Sequence, residues 1–304
     1  MSKRLAAIDI GTNTILMVIA EVEKDSSYKI ISDSHEIARL GEGLGKTGRI
    51  SDDAIERGKT ILSKYSIVCN ENQVDKINVV CTSALRDAEN SANVIHAFKS
   101  VINAEFDIIS GLEEAQMSYS GTAENDSQTV VIDIGGGSTE FISGDKNQII
   151  NRKSLQIGAV RLTEKFFKAH PPLPYELQNS RDYIQEILGE IDVPVSDNIY
   201  AVAGTPTTLA HIELGLKEYD FDKVHGYSLK LDTLDDLLKK FISNDLNYII
   251  DVLHVHPKRA DVITMGTLIL IESLKHLKSD RCTVSAKGLR FGLLHKMIAD
   301  IEIS

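Results

Sequence analysis

The tetrapeptide I-D-I-G occurs twice, at residues 8–11 and 132–135, and no other feature constrains the fold of this chain as strongly. The second copy lies within V-V-I-D-I-G-G-G-S-T-E-F (130–141), the first within A-A-I-D-I-G-T-N-T (6–14). In each, an apolar β-type run stops at an aspartate, Asp9 or Asp133. Glycine and small hydroxyl residues follow, and then a second apolar run. Self-similarity of this kind marks an internal duplication, so the fold has to build the same strand–turn–strand unit twice.

The second turn contains Gly135, Gly136 and Gly137, then Ser138, Thr139 and a further acid, Glu140. Without a Cβ the backbone turns its N–H groups toward a ligand and approaches it closely. A row of N–H groups makes an anion-binding concavity. An acid at the strand end repels phosphate unless a divalent cation sits between them. From these residues alone, a phosphate turn with a metal-binding acid and a plain tight hairpin both stay open. The duplication favours the phosphate turn, with two such turns facing each other across a cleft.

The chain has 304 residues, enough for two domains that each bury a core. Its 42% apolar and 25% charged content is that of a globular protein. A formal net charge of −11 argues against a nucleic-acid or anionic-membrane surface. Any polyanionic substrate then needs local cations or a metal. Cys69, Cys81 and Cys282 lack motif spacing and read as reduced and buried, which implies a cytoplasmic setting. The longest apolar run, 262–271, is too short to span a bilayer and reads as a buried helix.

Periodicity and turn residues predict strands at 5–9, 15–22 and 28–37, then a glycine-rich loop at 41–48. A helix capped by Ser51 runs to about residue 70. A strand at 76–81, a helix beginning at Arg86, a strand at 105–109 and a helix carrying Glu113 and Glu114 complete a βββαβαβα half. After a hinge within 119–127 the order restarts, with strands at 129–133, 139–143 and 148–155 and a hairpin at 144–147. Helices at 160–169, 175–188, 207–213, 233–242 and 259–277, strands at 199–202 and 282–284, and a helix from Gly288 follow. The expected fold class is α/β, with domains at 1–122 and 123–304.

Hydrolysis at such turns needs an activated water, and a carboxylate can be the base. Glu113 and Glu114 open a helix, where acids are favourable in any case. Gly204 and Thr205 bend a strand end into a helix, which suits an anion and equally suits a plain helix start. His225, His254 and His256 lack a metal-ligand spacing.

Taken together, the motifs resemble the exopolyphosphatase / guanosine pentaphosphate phosphohydrolase family within the actin-like superfamily. They are I-D-I-G-T-N-T (8–14), R-L-G-E-G-L (39–44), T-S-A-L-R-D-A (82–88) and I-S-G-L-E-E-A (109–115). Then come I-D-I-G-G-G-S-T-E (132–140), I-G-A-V-R-L-T-E (157–164), A-G-T-P-T-T-L-A (203–210), R-A-D (259–261) and G-L-R-F-G-L-L (288–294). The resemblance implies two actin-like, ribonuclease-H-like domains around an interdomain cleft. It implies hydrolysis of a terminal phosphoanhydride in inorganic polyphosphate or pppGpp with Mg²⁺, Mn²⁺ and a monovalent cation being alternatives. Glu114 matches the family's catalytic glutamate, and Asp9, Asp133 and Glu140 its metal-associated acids. Thr12, Asn13, Arg39, Arg86, Gly135–Ser138, Thr139, Gly204 and Thr205 are the implied phosphate-binding positions. Family habit suggests a homodimer.

Two departures stand out: Ala286 and Phe291 occupy places where the family usually has acids. The chain also stops where longer relatives continue into a helical module, an expectation against long-chain processivity. Two other readings are an acceptor-dependent kinase of the same superfamily and a non-enzymatic, nucleotide-binding actin-like protein.

Overall fold

The computed structural model describes residues 2–123, 128–145, 148–192, 196 and 198–302. It contains two compact α/β units. The first begins with β1 (Lys3–Ile10), β2 (Thr14–Val22), β3 (Tyr28–Ile37), α1 (Leu44–Thr47) and α2 (Asp52–Glu71). It continues through β4 (Lys76–Cys81), α3 (Ser83–Asp87), α4 (Ser91–Lys99), β5 (Glu105–Ile108) and α5 (Gly111–Thr122). The second unit opens with β6 (Thr129–Ile134), β7 (Thr139–Asp145), β8 (Gln148–Leu155), α6 (Ala159–Phe166), α7 (Pro174–Leu188) and β9 (Asn198–Val202). It is completed by α8 (Gly204–Glu213), α9 (Phe221–Val224), β10 (Ser228–Lys230), α10 (Leu231–Ser243), α11 (Leu246–Asp251), α12 (Pro257–His276) and β11 (Arg281–Ser285). The last helix, α13 (Leu289–Glu302), returns to the first unit.

The first sheet has the order β3-β2-β1-β4-β5, antiparallel across β1–β3 and parallel from β1 to β5. The second repeats it as β8-β7-β6-β9-β11, with β10 added antiparallel at the edge. Both have the ribonuclease-H-like strand order that the family resemblance implies. Alternation along β1 shows why this sheet is stable. Ala6, Ile8 and Ile10 face one core, with Ile61, Leu62 and Tyr65 of α2 and Phe98 of α4. Leu5 and Ala7 face another, with Leu293, Leu294 and Met297 of α13. Successive strand residues point to opposite faces, so a strand covered by helices on both sides reads as an unbroken apolar run. In the second unit α12 is buried almost throughout, from Ala260 to Leu274, and forms the centre of a third core.

Ser51 caps α2 by accepting from the Ala54 N–H at 3.3 Å, as expected from the sequence. Elsewhere the structure revises the expected boundaries. The segment read as a loop at 41–48 contains α1, bounded by Gly43 and Gly48, both in the left-handed region at φ 73° and 68°. The helix expected from Arg86 starts at Ser83, so Arg86 lies in its last turn. The helix expected at 160–169 ends at Phe166, and the one expected at 207 starts at Gly204. The short elements α9, β10 and α11 span four, three and six residues, too few for a periodicity to show. The units divide as 1–121 with 289–304, and 122–288, whereas the sequence reading placed the final helix in the second half. The expected hinge and the hairpin at 144–147 run into 124–127 and 146–147, outside the described residues.

Candidate active site

The two duplicated turns share one hydrogen-bond skeleton. Gly11 N–H donates to Thr14 O at 2.9 Å, and Gly135 N–H to Ser138 O at 2.9 Å. In each unit the segment after the third strand then clamps the turn's carbonyls. Asn13 O accepts from Ala38 and Arg39 N–H at 3.0 and 2.9 Å, and Thr12 O accepts from Gly41 N–H at 2.8 Å. Gly136 O accepts from Val160 and Arg161 N–H at 2.9 and 3.0 Å, and Gly135 O from Ala159 N–H at 3.0 Å. The Arg161 guanidinium donates from Nε to Gly137 O at 2.6 Å. In a planar trans peptide the C=O and the following N–H point in opposite directions. Tying down the carbonyls of Gly135, Gly136 and Gly137 therefore turns the N–H groups of Gly136, Gly137 and Ser138 away from the clamp, side by side. A row of N–H groups in this arrangement has the chemistry to accept an anion. Glycine is required on the clamp as well, because a Cβ on Gly158 would overlap the Gly136 carbonyl and one on Gly41 the Thr12 side chain.

In the first unit the candidate residues sit at the carboxyl ends of the parallel strands β1, β4 and β5. Asp9 ends β1 half-buried, paired with Leu16 on β2. The Thr12 and Ser83 hydroxyls are 2.8 Å apart, which links the first turn to α3. From α3, Arg86 donates through Nη1 to Glu114 Oε2 at 3.0 Å and to Ile109 O at 2.9 Å. Its Nη2 is buried and has no hydrogen-bond partner among the described residues. Ser110 caps α5, and Glu113 closes the box by accepting from Ser110 N–H and Oγ, both at 2.8 Å. Glu113 is thus structural and exposed, whereas Glu114 is 7% exposed and held by a guanidinium. Arg39 adopts φ 53°, a left-handed conformation that costs an arginine roughly 1 kcal/mol. Strain of this kind persists where surrounding bonds enforce it, and it concentrates at functional sites. Close by, Cys81 lies under the turn, and burial together with Asp9 pushes its thiol well above the usual range.

In the second unit Asp133 and Glu140 are direct cross-strand partners on β6 and β7, 8% and 0% exposed. Ser154 donates to Glu140 Oε1 at 2.6 Å. Two carboxylates directly opposite each other repel unless a cation or proton intervenes. The corresponding pair in the first unit is Asp9 and Leu16, so the duplication has placed the acid pair on the second turn. The all-oxygen donor set fits Mg²⁺, which is usually held by one or two carboxylates and substrate phosphates and keeps several waters. Among the described residues no group of three or more His, Cys, Asp or Glu side chains is gathered to hold a metal. The Thr139 hydroxyl is buried and donates to Ile157 O, within the turn's framework. Val202, paired with Asp133 across β6 and β9, leads into the Gly204 turn. There Arg259 donates to Gly204 O at 2.7 Å and to Thr208 Oγ1 at 3.0 Å, and burial pulls its pKa down to about 10. Ala203 before it lies at φ 76°, ψ −166°, a region almost reserved for glycine.

Ser83 and Arg259 join these sites without having been singled out as candidates, although both lie within the motifs quoted above. Arg57 also joins, donating to Ala38 O at 2.8 Å and Arg39 O at 3.2 Å, and it had no sequence signal.

The model of the Ppx/GppA phosphatase family matches residues 18–300. The chain is 30% identical over 310 residues to Exopolyphosphatase 2 of Mycobacterium tuberculosis, covering 95% of this chain and 97% of that one. It is 35% identical over 305 residues to the bifunctional 3-dehydroquinate synthase/phosphatase of Fusobacterium nucleatum. That match covers 95% of this chain and spans 46% of that protein's length. The crystal structure of the Aquifex aeolicus Ppx/GppA family member superimposes with a TM-score of 0.83 at 31% identity, covering 99% of both chains. The duplicated turns, the two ribonuclease-H-like sheets and these matches agree: the chain belongs to the Ppx/GppA phosphatase family.

Proposed function

We propose that this chain hydrolyses a terminal phosphoanhydride, releasing orthophosphate from the end of inorganic polyphosphate or from pppGpp. The observation that carries this reading is the Arg86–Glu114 pair, tied through α3 and Ser83 to the first phosphate turn. Arg86 fixes the direction of the carboxylate by a charge-assisted hydrogen bond and keeps Nη2 for an anion. Glu114 then orients a water and accepts its proton as the water attacks phosphorus. The turn N–H groups and Arg39 take up charge on the phosphoryl oxygens, and the bridging oxygen leaves with the shortened chain. Positioning and charge stabilisation supply most of the acceleration in phosphoryl transfer. Asp133 and Glu140 are the residues that would hold Mg²⁺, and a bound Mg²⁺ would neutralise phosphate charge there. The turn at Gly204 and Thr205 would grip more distal phosphates.

The test is Glu114→Gln. Replacing the base by its amide keeps the shape and removes the proton acceptor, so phosphate release should fall by roughly 10²- to 10⁴-fold. Binding of tripolyphosphate, read by calorimetry, should persist. Near-wild-type turnover in this variant would falsify the assignment. A panel of pppGpp, ATP and polyphosphates of defined length, scored by phosphate release, separates the two substrate classes. Loss of ATP that depends on an added acceptor would instead identify a kinase.

A further inference from the structure

We propose that Glu42 is a resident anion that competes with substrate phosphate for Arg39 and so sets the affinity of the first turn. The inference rests on the functional reading above. Five hydrogen bonds fix the backbone of residues 38 and 39, and none of them involves the Glu42 side chain: one is the Glu42 backbone N–H donating to Arg39 O at 3.3 Å. Two run from Ala38 and Arg39 N–H to Asn13 O, and two from the Arg57 guanidinium to the Ala38 and Arg39 carbonyls. Glu42→Gln keeps that backbone donor, so the strained arginine keeps its place when the carboxylate is removed.

What Glu42 supplies is charge. Its Oε1 lies 3.5 Å from Arg39 Nη2, and its Oε2 accepts from Arg57 Nη2 at 3.0 Å. The Arg39 contact is longer than a charge-assisted hydrogen bond, so it neutralises the guanidinium without binding it firmly. The Glu42 side chain is 48% exposed and that of Arg39 25%, so the carboxylate can swing into solvent while the arginine stays. A phosphate arriving at the turn meets an arginine whose field is already partly cancelled, and a carboxylate that repels it. The duplication repeats the arrangement in sequence: A-R-L-G-E at 38–42 and V-R-L-T-E at 160–164 each place an acid three residues after the clamp's arginine.

The experiment titrates inorganic tripolyphosphate into the full chain carrying Glu114→Gln, which blocks turnover, with and without Glu42→Gln, in Mg²⁺ buffer. Removing the carboxylate should lower Kd about three- to tenfold at low salt, the scale of a partly screened charge pair. The gain should shrink as salt is raised. It should vanish when Arg39→Ala is added, a coupling that a merely structural role for Glu42 would not produce. An unchanged or raised Kd overturns the inference, and so does a gain that survives without Arg39. Phosphate release by the chain with Glu114 intact separates this from the broader reading. A chain that binds tripolyphosphate yet cleaves no phosphoanhydride overturns the hydrolase reading and leaves the Kd comparison decisive. A chain that binds no tripolyphosphate overturns both.

Discussion

Asp33 on β3 accepts two hydrogen bonds from Arg290 on α13, at 2.8 and 2.7 Å, and Arg290 is 2% exposed. Burial alone would raise the pKa of the Asp33 carboxyl, but hydrogen bonds from His35 and Arg290 and the arginine's charge hold it at about 2. A folded-state pKa below the ordinary carboxylate value of about 3.9 stabilises the fold above that pH. The stabilisation is lost as pH falls from about 4 through 2, and amounts to about 2 kcal/mol. Asp33→Asn, which leaves a buried guanidinium without its anion, should be less stable than wild type near neutrality. The gap between their urea midpoints should narrow between pH 4 and pH 2; a constant gap would refute the coupling. None of this was legible beforehand, since the partners stand 257 residues apart and Asp33 lies in no motif. The Glu113 and Glu114 pair shows the same limit at closer range. In the sequence only the family resemblance separates the two acids; in the structure the Ser110 cap occupies Glu113 and burial sets Glu114 apart. The left-handed φ of Arg39 also escaped notice, because nothing in an arginine advertises it.

At the scale of elements the strands were the legible part, because β1, β2, β6 and β7 read as apolar runs and the duplication supplied their pairing twice. The clamps were not. They depend on backbone donors after β3 and β8, and backbone donors leave no trace in residue identity. Gly158, like Gly41, is a position where a clamp does surface in the sequence, since a Cβ there would strike the Gly136 and Gly137 backbone. Gly158→Ala should force the second turn to shift. We expect a loss of about 1–3 kcal/mol in stability, typical of overpacking. Tripolyphosphate affinity should fall at least about tenfold, the result of displacing several charge-assisted donors at once. Unchanged calorimetric affinity would mean that the second turn does not bind phosphate.

For the whole molecule, the duplication suggested two halves in series, whereas residues 289–304 group with 1–121 and residues 122–288 form the other unit. The chain then re-enters the first unit, where Leu293, Leu294 and Met297 of α13 cover Leu5, Ala7, Val18 and Ala20. Gly292 brings α13 so close to α5 that a Cβ would overlap the Met117 carbonyl. A tandem repeat carries no mark of such a return, because the apolar face of α13 would suit either sheet. Removing residues 289–304 should uncover one face of the first sheet. Cooperative unfolding of the first unit should be lost, while amide protection within 122–288 survives; full protection of β1 and β2 in the truncated chain would contradict this. During synthesis the same geometry reverses the usual order of events. The ribosome releases the first five strands early, yet the apolar face that Leu293, Leu294 and Met297 cover waits for α13, with only Ile109 and Met117 beside it before then. The second unit, made later but contiguous, has its full complement first, so the unit begun earlier is the one completed later.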